Sequence, residues 1–131
     1  MHFSVLMSLY DKEKPSYLEE CFDSLANQTV KADEIVLVYD GPINEALCTV
    51  VDRWSMSLPI KIVALKKNVG LGQALNEGMK HCTYDYVMRM DTDDICQPTR
   101  FELQSVFMEL NPDIDISGSC IREFIGDKNN I

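Results

Sequence analysis

The sequence has little of what would mark a nucleic-acid binder, a disulfide scaffold or a membrane protein. Its 131 residues carry 12 Lys and Arg against 21 Asp and Glu, a formal net charge of −9, and no basic run or tail. A surface of that sign repels phosphate backbones and anionic lipid, so no nucleic-acid partner is expected. An anionic ligand has to be held by a metal ion or by backbone amides. Histidine is nearly absent: with only His2 and His81, and no Gly-x-Ser-x-Gly, a Ser–His–Asp triad has little support. The five cysteines (Cys21, Cys48, Cys82, Cys96, Cys120) are odd in number, and neither Cys-x-x-Cys nor His-x-x-x-His occurs. That pattern indicates no disulfide framework and no zinc site, and reduced, mostly buried thiols are expected. The longest apolar run, Ile35 to Tyr39, is far short of the roughly 20 residues of a membrane-spanning helix, and the chain opens as a strand rather than a signal peptide. A cytoplasmic chain with no transmembrane segment is the expectation.

What is present is an ordinary globular composition, 46% hydrophobic and 25% charged, of a length that fits one domain over 1–131. Short apolar runs at 3–9, 35–39, 60–65 and 84–90 read as buried strands, with further strand signals at 114–117 and 121–125. Between them lie helical patterns. Pro15 opens one with Leu18, Cys21, Phe22 and Leu25 on its inner face, and Asn44 caps a second with Leu47, Val50, Val51 and Trp54. Residues 70–82 predict a third with Leu71, Ala74, Leu75 and Met79 inward, and Pro98 starts a fourth with Phe101, Val106, Phe107 and Leu110 inward. Alternating strands and helices, with strands that are apolar throughout, predict an α/β fold whose mainly parallel sheet is covered by helices on both faces.

In such sheets ligands bind beyond the carboxyl ends of the strands, which directs attention to Tyr10 and Asp11, Asp40-Gly41, Lys66 to Gly70 and Asp91 to Asp94. Three carboxylates within four residues, Asp91, Asp93 and Asp94, repel one another by about 4 kcal/mol per close pair at the effective dielectric of a protein surface. Two readings stand. The loop offers one or two carboxylates to Mg²⁺ or Mn²⁺ with waters and phosphate oxygens completing the shell, or it is a solvated acidic turn. Asp40 likewise either caps its turn or accepts a hydrogen bond from a base or ribose. Asn68-Val-Gly-Leu-Gly72 brings backbone amides to a helix start, although Leu75 stands where a dinucleotide fingerprint needs Gly. Arg89, one step from the acids in an apolar strand, is expected to pair with one of the loop carboxylates.

These pieces occur in an order that resembles family 2 glycosyltransferases of the GT-A fold, of the bacterial surface-polysaccharide type. The residues that carry the resemblance are Ser4-Val5 with Ser8-Leu9-Tyr10-Asp11, Ser24-Leu25-x-x-Gln28-Thr29, Glu34 to Gly41, Asn68-x-Gly70 with Ala74-Leu75-Asn76-x-Gly78, and Arg89-Met90-Asp91-Thr92-Asp93-Asp94 followed by Pro98-x-Arg100 and Gln104. The resemblance implies a three-layer α/β/α, Rossmann-like sheet that binds a nucleotide-sugar donor, with uridine diphosphate as carrier. It assigns Ser8, Tyr10, Asp11, Asp40, Asn68, Gly72 and Asp91 to the nucleotide, and Asp93 with Asp91 to Mn²⁺ or Mg²⁺. It also implies an inverting transfer to a saccharide or lipid-linked acceptor in bacterial polysaccharide synthesis, with the protein peripheral to the inner face of the membrane. Tyr39 departs from the family pattern where an Asp is usual, as do Asp11 in place of Asn and Leu75 in place of Arg.

The general base that such a transfer needs comes, in this family, from a segment well downstream of the acidic loop, and the chain has only 37 residues after Asp94. No catalytic residue is therefore assigned within it. The expectation is the nucleotide-binding part of a longer enzyme, lacking the acceptor-binding part, that binds donor better than it transfers sugar and leaves an apolar edge that favours self-association. Other classes fit less well. A receiver module needs its acidic pair after the first strand, and an Asp-x-Asp-x-Thr phosphatase needs Thr where Ile95 stands. A noncatalytic nucleotide-binding or assembly protein that keeps the transferase fold is the remaining rival.

Overall fold

In a computed structural model of the chain, residues 1–115, 117 and 118 are described. Among them the order is β1 (Phe3–Leu9), α1 (Pro15–Ala26), β2 (Glu34–Tyr39), α2 (Glu45–Trp54), β3 (Ile60–Ala64), α3 (Leu71–Met79), β4 (Tyr86–Arg89) and α4 (Arg100–Leu110). The strands form one sheet in the order β3-β2-β1-β4, and every pairing is parallel. Leu9 lies beside Tyr39 and Tyr39 beside Ala64, so β1, β2 and β3 end level with one another.

The alternation of side chains along β1 and β2 divides the interior. Phe3, Val5, Met7, Leu9, Ile35 and Leu37 face one side, where they meet Leu18, Phe22 and Leu25 of α1, Leu47 and Val51 of α2, and Phe101 at the start of α4. Leu6, Val36 and Val38 face the other side and meet Ala74 of α3. Helices thus lie on both faces, and the expected three layers are present.

Four details differ from the sequence reading. The strands are not uniformly buried: β1 and β2 are, whereas the edge strands β3 and β4 are half exposed, because α3, the one helix on that face among the described residues, rests on the sheet centre. In α3 the buried residues are Ala74 and Gly78, while Leu71 and Met79 are each 50% exposed. Close approach explains the choice of small residues. A methyl group on Gly78 would lie 2.6 Å from both Leu6 Cδ1 and Val38 Cγ2, and the β-branched Val38 is stiff at χ1 and gives way poorly. Overpacking of about 1–3 kcal/mol exceeds the roughly 1 kcal/mol that Ala gains in a helix interior. Gly78→Ala is therefore expected to lower stability by about 1 kcal/mol, read as a lower urea midpoint at unchanged slope.

In α4 the buried positions are Phe101 and Ser105, and the expected inner residues Val106, Phe107 and Leu110 are exposed. Its first turn is held by polar contacts described below, which fix its rotation independently of its apolar stripe. The strand expected at 114–117 is not formed by Ile114 and Asp115, which follow α4 in a turn closed by the Ile114 amide on the Asn111 carbonyl. The strand expected at 121–125, and Cys120, lie outside the described residues. Among the described cysteines, Cys21, Cys48, Cys82 and Cys96 are all free thiols, with Cys21 and Cys96 buried.

Candidate nucleotide and cation site

The segments that leave the carboxyl ends of the strands hold two separate polar clusters. One is built around Asp40, which is buried just after β2. Its Oδ1 accepts from the Val69 amide at 2.7 Å, and its Oδ2 accepts from the Gly70 amide and from Asn68 Nδ2, both at 3.2 Å. Neither expected role is what its contacts show: the carboxylate fastens the β3–α3 loop, 28 to 30 residues further along, instead of capping its own turn, and its bonds run to that loop rather than outward. Gly41 permits this, with φ of +91° and no room for a β-carbon, which would lie 2.7 Å from the Asn68 nitrogen. Gly70, also at positive φ, leads into α3. The amides of Val69 and Gly70, candidates for phosphate contact, therefore already bind the Asp40 carboxylate, while Gly72 sits in open space.

Asp11, exposed after β1, points the other way. Its Oδ1 accepts from the Asn44 amide at 2.7 Å and from Asn44 Nδ2 at 3.0 Å, and the Asn44 side chain in turn accepts from the Leu47 amide. Asp11 thereby orients the cap of α2. Ser8 is half buried in β1, and the Tyr10 ring is 48% exposed beside it. The residues assigned to the nucleotide thus share the strand ends, but they are not joined in one hydrogen-bonded set.

The second cluster is the acidic loop. Oxygen atoms from Asp91, Asp93 and Asp94 lie within 4.8 Å of one another. The turn is closed by two bonds, the Asp91 amide to Asp94 Oδ2 at 2.9 Å and the Asp94 amide to the Asp91 carbonyl at 3.1 Å. Arg89 Nη2 donates to Asp91 Oδ1 at 3.2 Å, the pairing expected from sequence. Both side chains are about half exposed, so the pair is a solvated one of modest worth. Burial, with Asp94 beside it, raises the Asp91 carboxyl above its ordinary value; Arg89 pulls it down, Asp93 pushes it up, and the net direction is upward. The loop therefore carries negative charge that its own contacts do not balance. Two oxygens bound to one Mg²⁺-sized ion at 2.0–2.1 Å stand at most about 4 Å apart, so small side-chain rotations bring this all-oxygen donor set onto one hard divalent cation.

What holds the segment that follows the loop comes from far away in sequence. Gln28, two residues beyond α1 and 2% exposed, donates from Nε2 to the carbonyls of Ser24 (3.1 Å) and Gln97 (2.7 Å) and accepts the Phe101 amide on Oε1 at 3.1 Å. Ser24 Oγ accepts the Cys96 amide at 3.0 Å, and the Thr29 amide bonds the Pro98 carbonyl at 2.9 Å. The motif Ser24-Leu25-x-x-Gln28-Thr29 is thus a clamp on residues 96–101. Arg100 closes the other side: Nη2 donates to the Arg89 carbonyl at 2.9 Å and Nε to Gln104 Oε1 at 3.0 Å. The signal available in sequence was a buried-motif Gln beside an apolar helix face, for which the partners were not visible.

The sequence model described as "Glycosyl transferase family 2" matches residues 4–131. The chain belongs to glycosyl transferase family 2. Among curated family members it is 58% identical over 122 residues to the amylovoran biosynthesis glycosyltransferase AmsE of Erwinia amylovora, covering 93% of this chain and 46% of that protein. It is 43% identical over 122 residues to the UDP-Gal:alpha-D-GlcNAc-diphosphoundecaprenol beta-1,3-galactosyltransferase of Escherichia coli, covering 93% of this chain and 44% of the relative. Among solved structures, S. aureus TarS 1–349 in complex with UDP-GlcNAc superposes with a TM-score of 0.76 at 26% identity, covering 86% of this chain and 32% of that one. The chain therefore has the GT-A architecture of this family and spans about half the length of the curated relatives it matches. Among the described residues no helix is long and apolar enough to cross a membrane.

Proposed function

We propose that the chain is the nucleotide-sugar-binding part of a glycosyltransferase that moves a sugar from a UDP-linked donor to a saccharide or lipid-linked acceptor in bacterial polysaccharide synthesis. The observation that carries this reading is the convergence of Asp91, Asp93 and Asp94 at the carboxyl end of β4. The names of two relatives support the choice of donor and acceptor. One acts from UDP-Gal on a diphosphoundecaprenol-linked sugar, and TarS binds UDP-GlcNAc.

In this reading Asp91 and Asp93 hold Mn²⁺ or Mg²⁺, which when bound supplies Lewis-acid stabilisation of the nucleoside diphosphate leaving group. Arg89 limits the repulsion at Asp91 while leaving a net negative site for the cation. The exposed Tyr10 ring and Ser8 lie toward the nucleoside, and Asp91 toward its ribose. Asp40 serves the donor indirectly, by fixing Asn68 and Gly70 at the rim. The transfer inverts the anomeric carbon, and the base that accepts the acceptor's hydroxyl proton belongs to the part of the longer relatives that this chain does not match.

Calorimetric titration with UDP, GDP and their sugars, with and without Mn²⁺, tests the reading. UDP-sugar binding that requires Mn²⁺ is the expected result. Absence of binding by every nucleotide leaves a noncatalytic assembly protein with the transferase fold as the better account.

A further inference from the structure

One contact of the acidic loop is used by none of the roles above. The middle residue, Thr92, is buried at 4% exposure between two outward-facing aspartates. Its hydroxyl donates to Glu13 Oε2 at 2.5 Å, a short hydrogen bond. Glu13 is itself fixed. Its amide bonds the Tyr10 carbonyl at 3.1 Å, closing the turn after β1, and its second oxygen accepts the Lys14 amide at 3.0 Å. The Glu13 carboxylate thus joins the turn that presents Tyr10 and Asp11 to the loop that presents Asp91 and Asp93. A fourth acid beside three others adds repulsion, so its presence calls for a return, and the geometry supplies one. Anchoring Thr92 inward leaves the side chains on either side of it directed away from the anchor, and it sets where along the loop they emerge.

We infer that Glu13 is a positioning residue for cation binding, acting through the Thr92 hydroxyl to fix Asp91 and Asp93 before the ion arrives. This rests on the cation reading proposed above. A group that orients metal ligands from behind is worth about 10–100-fold in affinity, and the interaction needs an acceptor at Glu13 rather than a negative charge. The variants separate those requirements. Thr92→Val removes the hydroxyl at nearly constant volume and Thr92→Ser keeps it; Glu13→Ala removes the acceptor and Glu13→Gln keeps one without the charge.

Mn²⁺ binding by the chain, followed by electron paramagnetic resonance, is expected to weaken about tenfold or more in Thr92→Val and Glu13→Ala, and to stay within about threefold of wild type in Thr92→Ser and Glu13→Gln. The Thr92→Val, Glu13→Ala double variant is expected to lose no more than either single one. Hydrogen exchange without metal supplies a second measure. The amides of Asp91 and Asp94, which close the turn, should exchange faster in the two disabling variants while the amides of β1 keep their protection. Equal Mn²⁺ affinity in all variants overturns the inference, as does Glu13→Gln binding as weakly as Glu13→Ala, which would make Glu13 a charge and not a lever. Faster exchange throughout the sheet would assign the bond to general stability and also overturns it. If the wild-type chain binds no Mn²⁺, the cation reading fails and the inference with it, whereas wild-type binding with unaltered variants removes the inference alone.

Discussion

Asp93→Ala is expected to abolish the Mn²⁺-dependent part of nucleotide-sugar binding while leaving the folded chain at least as stable as before. The Asp93 carboxylate is exposed and makes no hydrogen bond among the described residues, so removing it breaks nothing and relieves repulsion from Asp91 and Asp94. A direct ligand should cost about 100-fold or more in cation affinity, beyond the 10–100-fold typical of groups that only orient ligands. Titrating Mn²⁺ and a UDP-sugar against wild type and variant, with thermal melts beside them, checks both halves. A variant that binds as wild type would remove Asp93 from the site. Acidity should reproduce part of the effect. Because burial and Asp94 raise the Asp91 carboxyl, a proton competes with the cation at a pH above the ordinary value of an aspartate. Cation affinity should therefore fall as pH drops through that range. The sign for folding is opposite: the folded state holds this proton more tightly than the unfolded chain, so Asp91's contribution to stability is greatest in acid and is lost as pH rises through its folded value.

The second large effect is one of stability. Gln28→Ala removes two donors and an acceptor from a fully enclosed position and strands the Phe101 amide, itself buried. An unsatisfied buried amide costs about 1–3 kcal/mol, and the vacated side-chain volume adds to it, so a loss of about 3 kcal/mol is expected in urea unfolding. Mn²⁺ affinity should fall too, because Gln97 and Phe101 mark the end of the segment that follows the acids. A variant with unchanged stability would show that Gln28 does not hold that segment.

Much of this architecture is legible in the sequence, for identifiable reasons. The strand at Phe3–Leu9, the helix start at Pro15 and the Asn44 cap of α2 are local signals, and each falls where expected. The acidic loop was visible because its three acids are adjacent in sequence. Burial on α3 and α4 departs from the apolar stripe because periodicity identifies the stripe but not what lies opposite it. Gly78 sits inward because the sheet is close, and Leu110 is 75% exposed because α4 is held at its first turn. Asp40 shows the same limit at the site. Its place after β2 was clear, but its partners, 28 to 30 residues further along, were not. Glu13 and Gln28 were invisible as site residues because their partners lie across the fold.

The clamp has a consequence for how the chain reaches its working form. The contacts that shape residues 91–101 span 69, 72, 73 and 79 positions, and no local sequence can substitute for them. Such pairings carry a large loop-closure entropy and are made only when β1, α1 and β4 have already come together. Competence for ligand should therefore appear late in refolding, in step with the last cooperative phase and not with early helix formation, and it should vanish at the onset of unfolding.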